Sequence, residues 1–315
     1  MNIKSLLLGS AAALVVVSGA QAADAIVTAE PEPAEYVKVC DAFGAGFFYI
    51  PGTENCLKIG GYVRFNVGFN SADKNRKWDA TTKADINVTA KTETELGALT
   101  GFIETNAVAD DQAAAANFAL DSAYIKLGGL QVGYFAGYFD AGIGENSGWA
   151  AKSKFNAVSY TFEGDGFGIG LGLDETGEVA NGVGIEGQIS AGSGPFSAKL
   201  IGVYDTDAEN GAIKGIVSAE AGPGTLSVAG VWSNGQNIYT NDRKWAVGAA
   251  YSVKASDQLT VMPEFQVSEN LAGDQNWFVG ALTSYQITNG LTGSVDVNYN
   301  KDESVSGYFR LQRSF

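Results

Sequence analysis

Residues 57–70, LKIGGYVRFNVGFN, alternate between two kinds of side chain over fourteen positions. The odd positions are apolar or glycine, whereas the even positions include Lys58, Arg64 and two asparagines. An alternation with period two predicts a β-strand whose two faces meet different surroundings. Such a run is about twice the usual length of a strand in a soluble protein. One face therefore needs a deep apolar environment, and the other face needs water.

The same alternation recurs along the chain, in sixteen segments of about ten residues each. Connections such as Gly128-Gly129 and Asn289-Gly290 are typical hairpin turns. Longer connections alternate with the short ones and lie at 71–79, 108–117, 140–154, 205–211 and 233–242. Short turns at one rim and long loops at the other are typical of a membrane barrel. We predict an all-β transmembrane antiparallel barrel of about 16 strands over residues 56–315, rather than a soluble β-sandwich.

The polar faces of such a barrel should line a water-filled lumen, because side chains cannot fill the interior of a barrel of sixteen strands. Lys58 and Arg64 belong in this lumen, since each would cost about 2–4 kcal/mol on the lipid face near the bilayer midplane. The same register directs Lys83 and Lys126 inward. Aromatic residues near the ends of the apolar faces match the girdles of a membrane interface.

The N-terminus has the parts of a secretory signal peptide, with Lys4 before an apolar stretch and a small-residue cleavage site ending at Ala22. We predict that residues 1–22 are this signal, rather than a membrane anchor, and that residues 23–55 are a lead-in to the barrel. Export to an oxidising compartment predicts a disulfide between the two cysteines, Cys40 and Cys56. Closing that loop would stabilise the fold by roughly 3 kcal/mol.

The composition argues against several classes of function. The chain has no histidine, which removes Ser-His-Asp catalysis, histidine metal sites and imidazole acid–base chemistry. A formal net charge of −15 argues against a nucleic-acid partner, which would need a basic surface. Gly182, Gly184 and Gly187 match G-x-G-x-x-G, but no helix pattern follows them, as a dinucleotide site requires. We therefore predict no enzyme activity, no cofactor and no metal site.

Two stretches carry a resemblance to a known family. CDAFGAGFFYIPGTENCLKIGGYVRF (40–65) resembles the start of the mature barrel in alphaproteobacterial, rhizobial-type general porins, and SGYFRLQRSF (306–315) resembles their last strand. The resemblance implies a homotrimer in the bacterial outer membrane, with short periplasmic turns, longer extracellular loops and the third loop folded into the lumen. It also implies that Phe315, Leu311 and Phe309 form the signal read by the outer-membrane assembly machinery.

The third long connection, 140–154, is the candidate constriction loop of the predicted barrel. Acids on this loop can face basic wall residues across the lumen, and opposed charges create a transverse field that selects ions. The candidate constriction residues are Asp140 and Glu145 on the loop and Lys58, Arg64, Lys83 and Lys126 on the wall.

These features predict a passive, water-filled channel for small hydrophilic solutes and ions. A substrate-selective channel for a sugar or a particular ion is the alternative, and a structural or adhesive surface barrel is a further one. The long loops carry many acids, among them Asp110, Asp174 and Asp205, which favours a weak cation preference. The same acids could instead bind divalent ions that bridge to lipopolysaccharide.

Overall fold

The computed structural model describes residues 38–110, 118–146, 149–177 and 182–315. The predicted signal peptide at 1–22 and the first part of the lead-in lie outside the described residues. Within these ranges, no helix is long and apolar enough to cross a lipid bilayer. The helical elements found there are two short 3-10 helices, at Asp41–Phe43 and Tyr138–Asp140.

A closed antiparallel barrel of sixteen strands, β2–β17, makes up most of the described chain, which confirms the predicted architecture. Each strand pairs with its neighbours in the chain, and β17 pairs with β2 from Ser306↔Asn70 to Ser314↔Tyr62. Closure gives the strand backbones hydrogen-bond partners without an open sheet edge. The strands are β1 (Phe48–Tyr49), β2 (Cys56–Asn70), β3 (Trp78–Thr92), β4 (Leu99–Asp110), β5 (Ala119–Leu127), β6 (Leu130–Ala136), β7 (Lys154–Glu163), β8 (Phe167–Glu175), β9 (Val183–Ser193), β10 (Phe196–Asp205), β11 (Asn210–Ala221), β12 (Gly224–Ser233), β13 (Arg243–Lys254), β14 (Leu259–Asn270), β15 (Gln275–Thr288), β16 (Leu291–Asn300) and β17 (Val305–Ser314).

The two ends of the barrel carry connections of different length. At the end that we call the turn end, several connections have two residues, namely 128–129, 194–195, 222–223 and 289–290. The opposite end, the loop end, carries the longest connections. We call residues 137–153 the third loop and residues 234–242 the sixth loop, by their order at this end.

The register of β2 agrees with the predicted inward and outward faces. Val63 and Phe65 are 49% and 44% exposed on the outer surface. Arg64, between them, points the other way, and its Nε donates to Gln312 Oε1 of β17 at 2.8 Å. The clearest alternation in the sequence therefore directs a guanidinium into the lumen and two large apolar side chains toward lipid.

The last strand continues the apolar outer face. Phe309 and Leu311 lie opposite Val67 and Phe65 of β2, so they share its lipid-facing surface. Arg313 has the same register, but its Nη1 donates to Asn289 O at 3.2 Å in a turn-end connection. A long side chain at the rim can thus satisfy its charge outside the apolar band.

The lumen face of strands β10–β13 carries a patch of apolar residues, which differs from the predicted polar lumen wall. Ile201 and Val203 of β10 lie in the lumen register, yet they are 0% and 6% exposed. They belong to one buried cluster with Phe139 and Trp149 of the third loop and Tyr239 of the sixth loop. Removing this apolar surface from water stabilises the inserted loops by about 25 cal/mol per Å². This side of the lumen is therefore filled with protein.

A short N-terminal hairpin packs against the beginning of β2. Strand β1 pairs with β2 through Phe48↔Leu57 and Tyr49↔Cys56. The predicted disulfide between Cys40 and Cys56 is present, with their Cα atoms 5.9 Å apart and both residues buried. The last pair between β17 and β2 involves Tyr62. Strand β1 therefore pairs with a part of β2 that β17 does not reach.

Replacing both Cys40 and Cys56 by serine should free the N-terminal hairpin and leave the barrel folded. The disulfide spans 16 positions in the chain, and its loss removes roughly 3 kcal/mol of loop-closure stabilisation from this segment. Strand β1 has two residue pairs to hold it, whereas β2 keeps its pairing with β3. We expect rapid proteolysis near residues 41–55 in the variant, and an unchanged protease-resistant barrel on a gel. Equal resistance of the segment in both proteins would contradict this assignment.

Candidate pore constriction

The third loop leaves the wall after β6 and folds into the barrel. Gly137 N–H donates to Ser153 O at 3.0 Å, so the two ends of the loop meet at its base. The loop begins at residue 137 instead of the predicted 140, because the chain turns inward at a glycine that lies against Glu186 of β9. A Cβ at this position would overlap the Glu186 carboxylate.

Two buried ionisable side chains of the wall hold the base of the loop. Glu186 is 1% exposed, and its Oε2 accepts the Phe139 N–H at 2.9 Å. Lys214 of β11 is 0% exposed, and its Nζ donates to Phe139 O and, at 3.0 Å, to Ala141 O. The same ammonium lies 4.1 Å from the centre of the Phe139 ring. These contacts fix the backbone of the loop where it enters the lumen.

The tip of the third loop reaches a different part of the wall. Glu145 Oε1 accepts hydrogen bonds from Tyr308 Oη at 2.7 Å and from Arg310 Nη1 at 3.0 Å, both on β17. Asn146 Nδ2 donates to Glu264 Oε1 of β14 at 2.6 Å. The loop therefore follows the inner wall from β9 to β17, and its described part is fixed at both ends of this path.

A row of cations lies on the lumen wall beside the tip of this loop. Arg64 of β2 and Lys83 of β3 are directly paired positions, and both side chains are half-buried. The Tyr62 ring lies 4.6 Å from Arg64 Cζ and 5.7 Å from Lys83 Nζ. Arg310 continues the row, because its Nε contacts Asn66 Oδ1 on β2 at 3.3 Å. We call Arg310, Arg64 and Lys83 the basic row.

The other two predicted wall residues lie nearer the turn end. Lys58 is six positions from Arg64 on β2, which corresponds to about 20 Å along the strand. Its Nζ lies 5.8 Å from the ring of Phe47, in the N-terminal hairpin. Lys126 is exposed, next to the last residue of β5. Among the described residues, neither lysine forms a hydrogen bond or ion pair with the third loop.

The predicted loop acids differ in their surroundings. Glu145 meets a wall cation, but this cation is Arg310, which the sequence reasoning missed. The alternation around Phe309 and Leu311 places Arg310 in the lumen, so the same signal could have found it. Asp140 is exposed at the end of the 3-10 helix, where it interacts electrostatically with Lys214 of β11.

Two acids that the sequence assigned to solvated loops are instead buried in the wall. Asp174 is the second-to-last residue of β8 and is 4% exposed, and Asp205 ends β10 and is 5% exposed. Asp174 Oδ2 accepts the Tyr239 hydroxyl at 2.7 Å, and Asp205 Oδ2 accepts the Ile238 N–H at 3.0 Å. The prediction was wrong for this pair, because both carboxylates bind the sixth loop.

Other acids at the loop end remain in water and carry charge. The backbone N–H groups of Arg76 and Asn75 donate to Asp73 Oδ1 and hold the pKa of Asp73 below its usual value. The hydroxyl and N–H of Ser304 lower the pKa of Asp302 in the same way. The loop end is therefore negatively charged at these exposed positions at neutral pH.

Comparisons with known proteins agree with this architecture. Residues 24–312 match the family described as the porin subfamily. Outer membrane protein IIIA of Rhizobium leguminosarum bv. viciae is 40% identical over 98% of this chain and 93% of its own length. Porin Omp2b of Brucella suis biovar 1 is 35% identical over the full length of both chains.

The fold is also similar to a solved structure, the outer membrane channel DcaP of Acinetobacter baumannii. The TM-score is 0.70 at 12% sequence identity, and the match covers 85% of this chain and 99% of that one. An inserted third loop, a lipid-facing apolar band and a charged lumen wall are the features that a diffusion channel needs. The chain therefore belongs to the porin family, as an outer-membrane barrel through which small solutes diffuse.

Proposed function

We propose that the open path runs between the third loop and the part of the wall that carries the basic row. The observation that carries this proposal is the direct pairing of Arg64 with Lys83 on the lumen face. Like charges opposite each other in a sheet are destabilising, so their pairing points to a role in passing solutes rather than in folding. The other side of the lumen is filled by the apolar cluster around Ile201 and Val203.

The charges along this path set its ion preference in the proposed account. Acids at the extracellular loop end, such as Asp73 and Asp302, concentrate cations, while the basic row opposes them at the constriction. We expect a weak overall preference for cations. Lys58 and Lys126 act at the periplasmic mouth, where the path is wider and their influence is smaller. Planar-bilayer recording in a salt gradient tests this, and a reversal potential of anionic sign would contradict it.

The lumen aromatics support passive diffusion rather than a sugar-selective path. Phe102 and Tyr124 stack at 5.0 Å between ring centres, and Tyr124 meets Phe135 edge-on at 6.0 Å. These rings lie side by side across β4, β5 and β6, around the wall. A path that guides sugars would need exposed rings in succession along the pore, and Phe135 is buried.

Replacing Glu145 by glutamine should shift the reversal potential toward anions. The change removes one negative charge from the loop tip and leaves Arg310 without its ion-pair partner, so the net positive charge at the constriction rises. Asp165→Asn, on the turn at 164–166, is the matched control, because it removes one acid from the periplasmic rim. A shift toward cations for Glu145→Gln, or equal shifts in both variants, would argue against this path.

We further propose that the protein is a homotrimer exported by its signal peptide. The outer band of exposed apolar side chains suits contact with lipid, lipopolysaccharide and neighbouring subunits. The side chains of Phe309 and Leu311 lie on that band, where the assembly machinery could read them together with the terminal Phe315. An unheated sample that migrates as three subunits on a gel supports the trimer, and a monomer of the folded barrel counts against it.

A further inference from the structure

The sixth loop enters the barrel and is held in shape by hydrogen bonds among its own residues. Asn237 organises it: the Nδ2 donates to Ser233 Oγ at 2.9 Å and to Thr240 Oγ1 at 2.8 Å. Its Oδ1 accepts the N–H groups of Tyr239 and Thr240, both at 3.1 Å. Asn237, Tyr239 and Thr240 are all at most 3% exposed, which is unusual for a loop at the mouth of a barrel.

The side chain of Tyr239 fills a gap on the lumen face of β8 and β9. Its hydroxyl donates to Asp174 Oδ2 at 2.7 Å. Burial, and then this hydrogen bond, raise the pKa of Tyr239, so the phenol stays protonated and can donate. The hydroxyl lies over Gly184 of β9, where any Cβ would overlap it. Gly184 faces the lumen in a regular strand, and the Tyr239 side chain explains why this position is glycine: a larger residue would exclude it.

The same tyrosine contacts the third loop both near its start and near its end. Its ring centre lies 6.0 Å from that of Phe139, near the start of the loop. Its carbonyl oxygen accepts the Ala151 N–H at 2.8 Å, near the end of the loop. Its ring also lies 5.3 Å from Phe155 of β7, which follows the loop. One residue of the sixth loop therefore joins both ends of the third loop to the wall.

We propose that Tyr239 is a positioning residue for the constriction, acting as a wedge that sets where the third loop stands in the lumen. This inference rests on the proposed path between that loop and the basic row. Tyr239 is 0% exposed and does not line the path. Its effect on permeation passes through Phe139 and Ala151, so the conductance and its steadiness depend on an extracellular loop that solutes do not touch.

The test is single-channel recording of Tyr239→Phe and Tyr239→Leu beside the wild type. Phenylalanine loses only the hydrogen bond to Asp174, whereas leucine also loses the ring contacts. We expect the share of time that the third loop spends displaced to rise about tenfold in the leucine variant, seen as flicker of the open-channel current, with a smaller rise in the phenylalanine variant. Tyr204→Leu is the matched control, because Tyr204 lies on the outer face and is 43% exposed.

A rescue experiment separates positioning from a general loss of fold. A Cβ at residue 144 of the third loop would lie 3.5 Å from Ala250 Cβ of β13, within the range that a disulfide allows. The buried Glu264 carboxylate, which accepts a hydrogen bond from the Asn146 amide, overlaps that Cβ position and would have to shift within its hydrogen bonds to admit it. The pair Gly144→Cys and Ala250→Cys should suppress the flicker of Tyr239→Leu when oxidised and release it when reduced. The same pair with Tyr239 intact sets the reference size of the open-channel current for the crosslinked loop, and its current should be as steady as that of the wild type.

Steady wild-type current in Tyr239→Leu would overturn the proposal, and so would flicker that persists with the engineered disulfide formed. If the leucine variant yields no folded barrel, the phenylalanine variant alone carries the test, and wild-type steadiness in it counts against the wedge. A failure of the proposed path gives a different result. Variants at Glu145 and in the basic row would then have the same reversal potential as the wild type, whatever the Tyr239 variants show.

Discussion

A variant in which Arg64 and Lys83 are both glutamate will pass cations in clear preference to anions. The two side chains are adjacent on the lumen wall, and the substitutions change the local charge by four units. With a monovalent ion passing at about 7 Å, a change of four unit charges alters the Coulomb energy by about 2.4 kcal/mol in water. Salt near 0.1 M screens roughly half of this over that distance. The remaining ~1.2 kcal/mol corresponds to about an eightfold change in the local concentration of each ion.

The measurement is the reversal potential of single channels in a tenfold gradient of a simple salt, a gradient chosen because it separates cation and anion currents. Lys74→Glu with Lys301→Glu is the control, since it makes the same change of charge on loops outside the barrel. We expect a much smaller shift for the control pair, because bulk water surrounds those loops. Equal shifts in the two double variants would place the selective charges outside the constriction.

Replacing Lys214 by methionine should destabilise the protein by about 3 kcal/mol. Methionine keeps the apolar length of the side chain but removes the ammonium, which leaves the carbonyl oxygens of Phe139 and Ala141 without their donor in a buried place. Each buried acceptor that loses its partner costs about 1–3 kcal/mol. Glu186, also buried at the base of the loop, loses a nearby positive charge.

Urea unfolding of the barrel in lipid vesicles measures this loss, with open-channel noise as the functional readout. Lys199→Met is the matched control. Lys199 is a half-buried lysine on the lumen face of neighbouring β10, and within the described chain it makes no hydrogen bond to the third loop. A midpoint for Lys214→Met that equals that of Lys199→Met would show that the ammonium does not hold the loop.

The outer half of the fold was predictable because lipid imposes a simple rule. A strand that crosses a membrane must alternate, so the pattern over 57–70 was enough to orient Arg64 inward and Val63 outward. The number of strands and the alternation of turns and loops follow from the same rule. Conditions inside the barrel are less uniform, and there the rule holds for only part of the wall.

The inner half was harder to predict because a lumen wall can meet water or a folded loop. In β10, Leu200 meets lipid and Ile201 meets the inserted loops, so neighbouring positions on both faces are apolar and the period-two signal weakens. Asp174 and Asp205 looked like solvated loop acids, since nothing local distinguishes a carboxylate in water from one that binds a loop backbone. A signal did exist in lumen-facing glycines such as Gly184, which mark places where a large side chain enters.

The measurement that tests the central claim most directly is chemical modification of single cysteines during bilayer recording. The two native cysteines are joined in a disulfide, so an introduced thiol is the one that reacts. Arg64→Cys should react with a charged methanethiosulfonate added to the bath, and the current should fall in discrete steps. Ile201→Cys, on the wall behind the third loop, should not react. Block of the current through Ile201→Cys, with none through Arg64→Cys, would show that solutes cross on the other side of the loop.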